Sequence, residues 1–204
     1  MVATVSCDTK NPRNVDKTDL FPDSLFALKE ISDTGFRDKI EWRDNQVYVG
    51  SKKLTKLDSS MVIKLFESPY EAQYRKFYLF SKQKKEKEYQ PIVFFVVGDD
   101  YSALTLLTID SLGHPIDKIN IDGGYWGGPT EIGDSLLLSM EPTFSKLEKN
   151  QIIMSRSTYY ERINETDSFF VDSVVYKSRI DPKGKITTTM IDSLRLEKTA
   201  SATH

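Results

Sequence analysis

Gln90-Pro-Ile-Val-Phe-Phe-Val-Val97, Tyr101-Ser-Ala-Leu-Thr-Leu-Leu-Thr-Ile-Asp110 and Pro115-Ile-Asp-Lys-Ile-Asn-Ile-Asp122 follow one another near the middle of a chain of 204 residues. Each is a short run rich in Val, Ile, Leu, Phe or Thr. The first is followed by Gly98-Asp-Asp100 and the second by Ser111-Leu-Gly-His114. β-Branched and aromatic side chains fit a pleated surface, and Asp, Ser and Gly reverse a chain within a few residues. The three runs therefore read as strands joined by hairpins.

The same spacing extends in both directions. Residues 73–82 precede a charged tip and pair with 90–97. Residues 135–141 follow a glycine-rich loop, 151–162 and 168–180 flank Asn164-Glu-Thr-Asp167, and 185–197 come after Asp181-Pro-Lys-Gly184. Strands at this interval argue a sandwich or barrel rather than βαβ units. The expected fold is mainly β: an antiparallel up-and-down meander of about eight to ten strands, closed as a barrel or sandwich. One internal echo fits it. Ile109-Asp-Ser-Leu-Gly113 and Ile180-Asp-Pro-Lys-Gly184 share an Asp that bonds backbone amides and a Gly that takes positive φ, so one turn chemistry is used twice.

Ahead of the meander, one or two short N-terminal helices are expected. Pro22 and Asp23 suit a first helical turn, with Leu25, Leu28 and Ile31 on one face. Gln46-Val-Tyr-Val49, Gly50-Ser51 and residues 52–57 read as a small hairpin; for residues 58–66 Asp58 as a cap favours a helix, while Val62 and Ile63 leave a strand open. Residues 8–19 are polar and lack periodicity. The expected organisation is a flexible tether at 1–19 and a single β-rich domain at 20–204.

Twenty-eight basic residues against thirty acidic ones give a net charge of −2, which lacks the footprint of a general nucleic-acid binder. The apolar runs fall far short of the roughly 20 residues of a membrane-spanning helix. Met1–Cys7 has neither the basic region nor the apolar stretch of a signal peptide. With Cys7 the sole cysteine, no internal disulfide forms. Histidine occurs only at 114 and 204, so no zinc or copper ligand set assembles, no metal site is expected and no cofactor is called for. No Gly-x-Ser-x-Gly elbow or phosphate loop is present either, and no catalytic residue is named.

The most distinctive local sequence is Asp122-Gly-Gly-Tyr-Trp-Gly-Gly-Pro129. Tyr125 and Trp126 combine broad apolar faces with polar tips, which suits a platform for a sugar ring or a protein, and equally a plug over one end of the core. Charge is uneven nearby: residues 98–134 hold seven acidic residues and one lysine, for −6, whereas 75–88 hold six basic and two acidic, for +4. Asp99, Asp100 and Asp122, with Tyr125 and Trp126, form the expected contact for a protein partner or a small ligand, carbohydrate included. Lys82, Lys84, Lys85 and Lys87 read as the solvated tip of a hairpin.

Asp-Ser followed by Leu or Val occurs five times, placing Ser24, Ser111, Ser135, Ser173 and Ser193 in one motif, where about one Asp-Ser/Thr-small-aliphatic triplet is expected by chance. These triplets resemble the O-glycan acceptors of exported proteins from Bacteroidetes-type bacteria, which makes those serines the modified residues. Thr4-Val-Ser-Cys7 is similar to the end of a lipobox, although Thr4 stands where Leu is usual. Together with the polar tether, the layout resembles small cell-envelope lipoproteins of such bacteria. The resemblance implies a lipid on Cys7 as the only membrane link, and a periplasmic or outer-membrane location. A non-catalytic domain binding a protein or small ligand is the leading expectation. A toxin-neutralising immunity protein and a carbohydrate-active enzyme with paired carboxylates are the alternatives.

Overall fold

A computed structural model describes residues 20–28, 40–99, 101–125, 130–132, 135–148, 151–162 and 168–199, with side-chain surroundings for 20–28, 40–99, 102–123 and 174–194. The expected tether at 1–19, with Cys7 in it, lies outside the described residues. What is described is mainly β and antiparallel.

A small sheet comes first: β1 (Ile40–Arg43), β2 (Gln46–Val49) and β3 (Lys52–Lys53). Asp44 and Asn45 join β1 to β2 at φ of 49° and 60°. Two consecutive left-handed residues make a tight hairpin whose twist matches that of the strands, and Asp and Asn tolerate that conformation. The hairpin expected over 46–57 stops at Lys53. Leu54 donates its N–H to Val47 O at 2.8 Å, and β4 (Thr55–Lys56) then joins a different sheet. The helix at Asp58 is present as α1 (Ser59–Phe66), with the Asp58 side chain accepting from Met61 N at 2.8 Å. A second helix, α2 (Pro69–Tyr74), starts from Ser68, so Gln73 and Tyr74 are helical rather than extended.

Two five-stranded meanders follow. The first runs β4, β5 (Lys76–Lys82), β6 (Tyr89–Val97), β7 (Tyr101–Asp110) and β8 (Pro115–Tyr125). The second runs β9 (Thr130–Ile132), β10 (Ser135–Glu148), β11 (Gln151–Arg162), β12 (Ser168–Ile180) and β13 (Ile186–Thr199). Among the described residues no ladder joins the outer strands of either meander into a ring.

The first meander is covered on both faces. Phe77, Leu79, Ile92, Phe94, Val96 and Leu107 pack under α1 (Val62, Leu65, Phe66) and under Phe21 and Phe26 of the N-terminal segment. Tyr78, Phe80, Val93, Phe95, Leu104 and Leu106 face the other way, against Val47, Leu54 and Ile180, with Tyr176 and Ile186 at the margin. Two-sided burial explains why residues 92–97 read as an unbroken apolar run although their sheet is antiparallel. The N-terminal segment is itself a correction. In place of the helix expected to begin within residues 20–28 there is a single 3₁₀ turn, Asp23–Leu25, after which Leu28 pairs with the edge of β5; Ile31 lies outside the described residues. Leu28 N–H donates to Phe80 O and Lys82 N–H to Leu28 O, so the strap satisfies an otherwise open strand edge.

The two Ile-Asp-x-x-Gly turns have the same hydrogen bonds. Asp110 Oδ1 accepts from Leu112 N and His114 N, and Asp181 Oδ1 from Lys183 N and Lys185 N. Gly113 and Gly184 sit at φ of 82° and 87°. Each turn closes the last hairpin of its own meander. The second one docks on the first sheet: Thr108 Oγ1 donates to Gly184 O at 2.7 Å, Lys185 Nζ to Ile116 O at 2.9 Å, and Ile186 N to Asp117 Oδ2 at 2.9 Å. Beyond this contact β13 is an outer strand, and Met190, Ile191 and Leu194 are each more than half exposed.

The docked turn makes a sharp prediction. An added Cβ at Gly184 would lie 2.9 Å from Ile116 Cδ1 and 3.0 Å from Tyr89 Cβ, whereas at Gly50, φ 60°, it would meet nothing within 4 Å. Gly184→Ala therefore combines left-handed strain with overpacking and should cost about 2–4 kcal/mol, against about 1–2 kcal/mol for Gly50→Ala, in urea unfolding. Equal losses would contradict the docking.

Candidate functional site

The expected contact residues gather at one end of the first meander. The β7–β8 register pairs Tyr101 with Tyr125, Ser102 with Gly124, Ala103 with Gly123 and Leu104 with Asp122. Asp99 lies in the turn immediately ahead of β7 and is exposed; Asp122 is half-buried. Asp122-Gly-Gly-Tyr125 is thus the end of a strand and not a loop, which corrects the expectation for this segment. Gly123 at φ 73° makes the path feasible, since an added Cβ would run into Ser102 O. Asp100 and Trp126 lie outside the described residues, and of Tyr125 only the backbone is described.

The acidic segment does not form one strip. Asp110 and Asp117 stand at the far end of β7 and β8, where each binds backbone amides. Partial burial works against the Asp110 carboxylate, but bonds from His114 and Leu112 N–H hold its pKa below the usual value. These two aspartates are structural. Of the motif serines, Ser24 and Ser111 are exposed in turns and Ser193 is exposed on β13, while Ser135 and Ser173 lie in β10 and β12. Among the described residues no group of three His, Cys, Asp or Glu side chains is placed to hold a metal ion. No described helix is long and apolar enough to cross a membrane.

The opposite end of the meander holds a feature that the sequence did not suggest. The loop 83–88 after β5 and the strap 20–28 leave a cleft of about 280 Å³ between them. Asp23, Phe26 and Leu28 form one wall, and Lys82, Lys84 and Lys85 the other. Gln83 and Gln90, both buried, lie between the walls. Lys82 is not the solvated tip residue it was expected to be. Its side chain is 12 % exposed, with Nζ 2.9 Å from Asp23 Oδ1, donating to Phe21 O at 2.8 Å and standing 6.0 Å from the Phe26 ring centre. Lys52 Nζ also donates to Phe26 O, and Thr55 Oγ1 donates to Leu25 O. Side chains from β3, β4 and β5 thus hold the strap through its carbonyls. The sequence signal was the +4 segment, but the aspartate and carbonyls that tie Lys82 down come from about sixty residues earlier, as the 61-residue separation of Lys82 and Phe21 shows.

Near this end the Tyr89 hydroxyl is buried with no hydrogen-bond partner among the described residues. Burial, with Glu86 and Asp181 nearby, raises its pKa from 10.0 to about 12. The unfolded chain releases this proton first, so stability present below pH 10 is lost as pH rises toward 12.

Two variants test the arrangement. Lys82→Met should free the strap and cost about 1–3 kcal/mol, with faster amide exchange at Leu28 and Lys82. Unchanged exchange there would mean the lysine is not its anchor. Tyr89→Phe should retain or raise stability by up to about 1 kcal/mol at neutral pH and weaken its decline above pH 10, as urea unfolding at both pH values will read.

No protein-family model, no curated protein and no solved structure matches this chain.

Proposed function

We propose that this chain is a non-catalytic binding domain of the cell envelope, tethered to a membrane by a lipid on Cys7 and recognising a protein partner or a small ligand. The observation that carries the binding reading is the β7–β8 register. It brings the Asp99 turn, Asp122 and the last residues of β8 to one end of a sheet that is otherwise buried on both faces. A double-covered sheet with Asp99, Asp122 and the paired ends of β7 and β8 at its rim suits recognition, because little ordering is needed on binding. Asp110 and Asp117 stand at the other end of β7 and β8, so among the described residues the acidic groups of this rim are Asp99 and Asp122. We also read the two meanders as the halves of a sandwich, supported by the adjacency of β8 and β10 and by Ile180 packed on the first sheet.

Exposure of Ser24, Ser111 and Ser193 is compatible with the glycan-acceptor resemblance. The test is made in a bacterial host that processes lipoproteins, with the native gene and an alkyne fatty acid. The wild-type protein should take up the label and sediment with membranes, and Cys7→Ala should lose both properties. A wild-type protein that stays unlabelled and soluble would overturn the envelope assignment.

A further inference from the structure

The cleft between strap and loop has the chemistry of a second binding site, at the other end of the sheet from Asp99 and Asp122. Three lysines and one aspartate line it, and the aspartate is already engaged with Lys82. Lys84 and Lys85 are exposed on its rim and form no ion pair among the described residues. Buried between the walls, Gln90 donates from Nε2 to Gln83 O at 2.6 Å and to Pro91 O at 3.1 Å. An amide nitrogen carries two hydrogens, so both are used and the Gln90 oxygen is the group left to accept. The site thus offers positive charge at its mouth and an acceptor beneath. The strap forms its other wall, fixed by Lys82 and Lys52.

We propose that this cleft binds a small anion that also carries hydroxyl groups: a sugar acid or a polyol phosphate. Its carboxylate or phosphate lies against the Lys84 and Lys85 ammonium groups, and a hydroxyl donates to the Gln90 amide oxygen. A neutral sugar lacks the first contact, and inorganic phosphate is too small to make both. The volume of about 280 Å³ admits a molecule of roughly ten to thirteen non-hydrogen atoms, the size range of glycerol phosphate and glucuronate. Two charge-assisted contacts and one hydrogen bond in a partly open cleft imply dissociation constants in roughly the millimolar range. This assignment stands apart from the acidic end and from lipidation of Cys7.

The experiment titrates the whole chain with glucuronate, glycerol phosphate, inorganic phosphate and glucose, following amide resonances by NMR. Glucuronate and glycerol phosphate should both move the Gln90 side-chain amide, and inorganic phosphate should bind several-fold more weakly than glycerol phosphate. Glucose should leave the spectrum unchanged. In Lys84→Glu/Lys85→Glu, a change confined to exposed loop positions, affinity for both anions should fall about tenfold or more while the unliganded spectrum stays native. Binding that survives in this variant would overturn the proposal, as would equal binding of phosphate and glycerol phosphate. Failure of both organic anions to perturb Gln90 at tens of millimolar would do the same.

Discussion

Strands β5 and β6 have no solvent face, and the rest of the described structure is organised around covering them. Phe77, Leu79, Ile92, Phe94 and Val96 need one cover and Tyr78, Phe80, Val93 and Phe95 need another. Each such side chain contributes on the order of 1.5–3 kcal/mol when removed from water, so leaving either face open would be prohibitive for a chain of this size. Helix α1 and the N-terminal strap supply the first cover. The small sheet and the base of the second meander supply the other. An antiparallel hairpin sheet usually faces water on one side; here sequence before and after the meander both fold back onto it.

This constraint explains where polar chemistry collects. Along the sheet there is little room for it: the buried hydroxyls of Thr105 and Thr108 are hydrogen-bonded to Asn120 and Gly184, and the Tyr89 hydroxyl at the start of β6 is buried with no partner among the described residues. Charged groups are displaced to the ends of the strands, and the two ends differ. One carries Asp99 and Asp122 beside the last residues of β8. The other carries the docked Asp181 turn, the lysine loop and the cleft. Lys82 connects burial with function: to hold the strap over the first face it must reach Asp23 and Phe21 O, and in doing so it forms part of the cleft wall.

Much of the architecture was legible in the residues themselves. The limits of β7, β11 and β12 agree with the expected runs, because turn residues mark both ends of each. The repeated Ile-Asp-x-x-Gly pattern foretold two turns of identical hydrogen bonding, since a local motif needs only its own backbone. What could not be seen depends on distant partners. Leu28 is extended because β5 has an edge to fill, which overrides the helical spacing of Leu25, Leu28 and Ile31. β1 is short and exposed, and its Asp44-Asn45 turn is its clearest mark. The −6 of residues 98–134 does not tell where its carboxylates gather, because hairpin geometry sends alternate parts of a sequence to opposite ends of a sheet. The Lys82 cleft was hidden for the same reason: its two walls lie far apart in the chain.

The central claim is that the doubly covered pair β5–β6 is the most stable element and that the outer strand of the second meander is not. Native-state hydrogen exchange tests it most directly. Amides of residues 77–80 and 92–96 should exchange only through global unfolding, with the largest and mutually equal opening free energies. Amides of residues 187–194, exposed on β13, should open at distinctly lower free energy. Exchange of β6 through a local opening, or protection of β13 equal to that of β6, would contradict the account.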